Sequence, residues 1–188
     1  TPSFSSAGDV GAATMDLMLP KAIVELNLCR DAEASGSLAP DSTGHVWALE
    51  TLETTRALGR ELARRLPKGA ILLLQGPLGA GKTSLVQGLA LACGIGEPIT
   101  SPTFALAQHY PDGNPPLVHL DLYRLEAPGS ADELFLQEEE EARAIDALMA
   151  VEWPERLSLN LTEAWRLELT HLQTGRRAQL TPPRKAST

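Results

Sequence analysis

The chain has 188 residues, 43% of them hydrophobic, which suits one domain of ordinary size with some length to spare. Its net charge of −8 and pI near 5.0 argue against a protein that grips nucleic acid over a broad surface. No apolar run approaches the roughly 18 residues of a membrane span, no C-x-x-C pair occurs, and the start lacks a basic cluster; a cytoplasmic protein without a disulfide is expected.

Residues 1–44 are rich in Ser, Ala, Gly, Asp and Pro and read as an extension or linker, with a short docked strand as the alternative. From His45 the pattern tightens. Val46 to Leu49 is a predicted strand, and Thr51 a cap for the helix that follows. Leu58, Leu62 and Leu66 recur every four residues until Pro67-Lys68-Gly69 ends that helix. The continuous apolar run 71–74 reads as a strand buried on both faces.

Next comes Gly76-Pro77-Leu78-Gly79-Ala80-Gly81-Lys82-Thr83, which fits the phosphate-binding pattern G-x-x-x-x-G-K-[ST] at every fixed position. Leu85, Val86, Leu89, Ala90 and Cys93 then fall at helical spacing. Strand, glycine loop and helix is the order that phosphate binding needs. Glycines at 76, 79 and 81, with Ala80 among them, allow successive N–H groups to point inward as an anion nest, and the helix start adds its dipole. Lys82 would reach the β- and γ-phosphates of a nucleotide, the Thr83 hydroxyl would bind Mg²⁺, and Ser84 would add a hydroxyl near the α-phosphate.

Residues 97–104 form a loop held by Pro98 and Pro102, with Thr103 inside it. Strands are predicted over 105–110, 117–120 and 148–151, the last two ending in Asp121 and Glu152. A helix is predicted over 134–147, its exposed side carrying Glu138 to Glu141 as a solvated face. Residues 165–170 and 176–180 read as an antiparallel hairpin turned at Thr174-Gly175, and 181–188 as a polar tail. The expected architecture is an α/β P-loop NTPase fold over 45–180, its mostly parallel sheet flanked by helices.

Two acidic residues at strand ends sit where ligands gather in an open parallel sheet. Asp121 and Glu152 would either complete a Mg²⁺ shell and orient a water, or cap turns and pair with Arg124 or Arg156. Thr103 is either a turn residue or a γ-phosphate sensor. Arg124 and Arg176 would contact phosphate or form surface ion pairs. The four histidines, 45, 109, 119 and 171, show no ligand spacing, so zinc is not expected.

GPLGAGKTS (76–84), SPTF (101–104), HLDLYRL (119–125) and VEWPE (151–155), in this order, resemble the TsaE (YjeE) family, over roughly residues 45 to 180. That resemblance implies ATP as the nucleotide, Thr83 and Glu152 as Mg²⁺ ligands, and Asp121 as a Walker-B-like acid that also serves the metal. It implies a switch-like loop around Thr103, Trp153 near the metal, Thr51 to Thr55 near the adenine side, and Arg176, after Gly175, as a nucleotide contact. It further implies a slow ATPase that acts with TsaD and TsaB, of which TsaD transfers threonylcarbamoyl to tRNA adenine, so that tRNA is met through the complex. The chain departs from the family at Pro77, where Asp is usual, at Gln137 to Glu139, where a Leu-Gly pair is usual, and in the extension before His45. A small-molecule kinase is the rival reading, but no clustered arginine segment lies between the loop helix and residue 150. A GTPase would need Asn-Lys-x-Asp, which is absent. A non-hydrolysing, ATP-dependent assembly factor is the third reading.

Overall fold

A computed structural model of the chain describes residues 38–100, 106–127 and 129–184. The expectations for residues 1–37, for Thr103 and its loop, and for 185–188 lie outside the described residues. Seven strands form one sheet: β1 (Val46–Leu49), β2 (Ile71–Gln75), β3 (Ala107–Tyr110), β4 (Leu117–Asp121), β5 (Leu148–Glu152), β6 (Trp165–His171) and β7 (Arg176–Thr181). Their spatial order is β1-β7-β6-β2-β5-β4-β3. The pairs β2–β5, β2–β6 and β4–β5 are parallel, while β3–β4, β6–β7 and β1–β7 are antiparallel. Five strands therefore share one direction, with β3 and β7 opposed, as the predicted mixed sheet and C-terminal hairpin require.

Helices α1 (Leu52–Arg65), α2 (Lys82–Ala92) and α3 (Ser130–Ala144) cover the sheet. Alternation along the central strands decides what each face sees. Leu72, Leu74, Leu148 and Ala150 join one core with Leu58, Leu62, Leu85 and Leu89 of α1 and α2. Leu73, Met149, Val151, Val118 and Leu120 join the other, around Phe135 of α3. By the same parity His119 and Asp121 on β4, and Glu152 on β5, project toward the α1–α2 face. That is how short apolar strands deliver polar side chains to one place.

The start of α1 is a capping box: Thr51 Oγ1 accepts from Thr54 N at 3.1 Å, and Thr54 Oγ1 accepts from Thr51 N at 3.0 Å. α1 lies directly on α2. A Cβ at Gly59 would come within 2.2 Å of the Leu85 carbonyl oxygen, and one at Gly88 within 2.0 Å of that of Arg56. This backbone contact fixes α2, whose first turn carries Lys82 and Thr83.

α3 differs from the predicted 134–147. It begins four residues earlier, after Gly129 in a left-handed conformation and with Asp132 and Glu133 in its first turn. It ends at Ala144, because Asp146 turns left-handed at φ 52° and Ala147 N closes onto the Ala142 carbonyl. The solvated glutamate face fails at Glu138, which is buried against β3, its Oε2 2.5 Å from His109 Nε2. β7 runs through Thr181, and Arg184 N donates to the Thr162 carbonyl at 3.0 Å. Among the described residues, no helix is long and apolar enough to cross a membrane.

Candidate nucleotide-binding site

At the carboxyl end of β2 the chain enters the glycine loop with φ of 143° at Gly76, 77° at Gly79 and 99° at Gly81. Gly81 is the N-cap of α2 and offers no side-chain hydrogen bond to it, so the first N–H groups of the helix remain open to an anion. A Cβ on Gly81 would lie 3.3 Å from Thr55 Cγ2 and 3.4 Å from Arg176 Nε, so α1 and the start of β7 back the loop. The cavity in front of the loop measures about 470 Å³. Gly79, Gly81, Lys82, Thr83, Ser84, Asp121 and Glu152 all line it, so the loop and both acidic strand tips share one space.

Lys82 is almost fully buried. Its Nζ donates to the carbonyls of Gly76 at 2.7 Å and Pro77 at 3.1 Å, and sits 4.0 Å from the centre of the Trp153 ring. Burial pushes its pKa down, opposed by the negative charges of Glu152, Glu155 and Asp121. Trp153 itself holds a left-handed backbone, φ 58°, a conformation costing on the order of 1–2 kcal/mol away from glycine. Its ring lies 4.7 Å from that of Tyr123, centre to centre. The strain falls beside the buried lysine, at the cavity wall.

Glu152 is buried and takes Thr83 Oγ1 as a donor at 2.9 Å, which joins the tip of β5 to the first turn of α2. Asp121 is its direct neighbour in the parallel register. Asp121 Oδ1 accepts from Tyr123 N at 3.1 Å, closing the turn after β4. The hydroxyl of the completely buried Thr55 donates to the Thr51 carbonyl at 3.1 Å. Thr55 therefore supports the loop from behind with its methyl group and presents no face for an adenine ring. Arg176 is half-buried behind Gly81, with a buried Nε that has no hydrogen bond among the described residues.

Sequence reasoning missed His119, which is fully buried with Nε2 3.0 Å from Glu152 Oε1. Its signal was parity: two residues before Asp121 on an alternating strand places both on one face. Leu52, within the segment 51–55, and Arg124, a candidate phosphate contact, also line the cavity, and so do Leu78, Leu106 and Tyr123, which sequence reasoning did not single out.

The family model for the threonylcarbamoyl adenosine biosynthesis protein TsaE matches residues 49–179, from the last residue of β1 into β7. This chain belongs to the TsaE family. It is 49% identical over 112 residues to the tRNA threonylcarbamoyladenosine biosynthesis protein TsaE of a Synechocystis strain, covering 58% of this chain and 69% of that relative. The TsaE of a Nostoc strain is 45% identical over 132 residues, or 69% and 81% of the two chains. The crystal structure of YdiB from Bacillus subtilis superposes with a TM-score of 0.57 at 27% identity, covering 73% of this chain and 84% of that one. TsaE proteins are P-loop proteins of ATPase type.

Proposed function

We propose that this protein binds and slowly hydrolyses ATP with Mg²⁺ in the cytoplasm, and thereby serves tRNA threonylcarbamoyladenosine formation with a TsaD–TsaB-type transferase. The observation that supports it most is the tie between Glu152 and Thr83, made in one cavity with Asp121 and the glycine loop. An all-oxygen donor set beside an uncapped helix start suits a hard cation and a polyphosphate together. Thr83, Glu152 and Asp121 would hold Mg²⁺, which neutralises charge on the phosphoryl oxygens when bound.

The rest is the chain's own work. Backbone N–H groups of the loop and α2 grip phosphate oxygens, the Lys82 ammonium adds positive charge, and the Ser84 hydroxyl and Arg176 supply further donors. Asp121 orients the attacking water. Thr103, outside the described residues, belongs to a switch-like loop in this reading. The chain's acidic balance fits an accessory that leaves tRNA to its partners. ATP binding and hydrolysis then reset the transferase between turnovers. Repeated tRNA modification by purified TsaD–TsaB from the same source, with and without this protein, tests the reading. Turnover is expected to rise with the wild type and not with Lys82→Ala. Equal stimulation by both proteins, or by neither, would refute it.

A further inference from the structure

Glu152 spends only one of its two carboxylate oxygens on protein donors. Oε1 receives the Thr83 hydroxyl at 2.9 Å and His119 Nε2 at 3.0 Å, while Oε2 takes no hydrogen bond among the described residues. Facing a carboxylate, His119 Nε2 carries the proton of this hydrogen bond, and the other ring nitrogen, Nδ1, takes no part in it. That Nδ1 is buried and unpaired among the described residues. Position 119 lies on β4 among the buried Leu117, Val118 and Leu120, where an apolar side chain would carry no orphaned nitrogen. Among the described residues, the one hydrogen bond of the imidazole there is with Glu152.

We propose that His119 is a positioning residue: with Thr83 it pins Oε1, and so turns Oε2 of Glu152 toward the cation. The inference rests on the magnesium reading of the site. It assigns His119 a share in metal affinity without contact to nucleotide, as outer-shell donors to ligating carboxylates do.

Calorimetric titration of the full chain with ADP, in MgCl₂ and in EDTA, separates the possibilities for wild type, His119→Gln and His119→Asn. Glutamine carries an amide N–H about as far as Nε2 reaches, and asparagine falls one bond short. Both bury an amide, so their folding costs are alike. The gain in ADP affinity from Mg²⁺ should persist within about twofold in His119→Gln and fall about tenfold in His119→Asn. Affinity in EDTA should be the same in all three proteins. An undiminished Mg²⁺ gain in the asparagine variant, failure of glutamine to restore it, or parallel losses in EDTA would each overturn the proposal. A wild type with no Mg²⁺ gain would instead refute the metal reading, and this inference with it. Should neither variant fold, ring-nitrogen NMR of the wild type decides. The Nε2–H signal of His119 should stay hydrogen-bonded when Mg²⁺ is added to the ADP complex, and its loss overturns the proposal.

Discussion

Two histidine–glutamate pairs use the same residue types at different places in the sheet. His119 and Glu152 lie on the central strands β4 and β5 with side chains 0% and 3% exposed. His109, on the edge strand β3, is 37% exposed and meets Glu138 of α3, which is 8% exposed. The carboxylates are buried alike, so burial alone does not separate a site from a fastening. What separates them is the company each glutamate keeps. Glu152 accepts from the Thr83 hydroxyl, stands beside Asp121 and lies near enough to Lys82 for its charge to act on that lysine. Among the described residues Glu138 pairs only with His109, which also lies 3.8 Å from Glu141 on the same helix. Ligand atoms of His109, Glu138 and Glu141 lie within 4.8 Å of one another, but the closest approach joins two of them to each other. That pair fastens α3 to the sheet edge.

The comparison predicts a double dissociation. Glu152→Ala should lower ATP hydrolysis, measured as phosphate release, on the order of a hundredfold or more, since in the proposed reading it removes a ligand of the Mg²⁺ that neutralises the phosphoryl oxygens. Glu138→Ala should leave hydrolysis unchanged. It should cost about 1–3 kcal/mol in urea unfolding by stranding the His109 contact on a buried surface. Should Glu138→Ala slow hydrolysis as Glu152→Ala does, the edge pair would belong to the machinery and the distinction would fail.

Lys82 sharpens the same contrast, because it is a buried charge near carboxylates with no direct ion pair among the described residues. Its folded pKa lies below the usual lysine value, chiefly through desolvation. Between the folded and unfolded pKa values the unfolded chain binds more protons, so stability rises with pH there. Relative to Lys82→Met, which cannot titrate, the wild type should gain stability as pH climbs through that alkaline window. Parallel stability curves for the two proteins across that range would refute the desolvated lysine.

Much of this was legible from the residues, and the failures have a physical pattern. β2, the glycine loop and α2 were readable because a continuous apolar run, a glycine spacing and a helical stripe are each local. The positions of Asp121 and Glu152 followed from strand ends, a property of topology that short apolar runs disclose. Glu138 was misread because a run of four glutamates on a helix resembles a solvated face, and only β3 shows that one of them turns inward. The segment 51–55 reaches the cavity through Leu52, while Thr55 is completely buried, because one helical turn points neighbouring residues to different sides. His119 was missed because a single histidine has no spacing to read; its partner is 33 residues away.

A third carboxylate brings the contrast into water. Asp132, in the first turn of α3, accepts from Ser158 N at 2.9 Å and from the Ser158 hydroxyl, much as Glu152 accepts from Thr83, but at the surface, where Ser158 is exposed. The hydroxyl, aided by the Ser158 and Leu159 backbone, holds the Asp132 carboxyl below its usual range. A depressed folded pKa contributes stability above the unfolded value and loses it as pH falls through the folded one. Asp132→Asn should therefore unfold slightly more easily than wild type at neutral pH, and their urea midpoints should converge under acid conditions. Solvent screening keeps the difference small. A gap that stays constant into acid would mean that Asp132 acts through shape and not charge. The hydroxyl–carboxylate motif would then owe its electrostatic role in this molecule to burial at Glu152 alone.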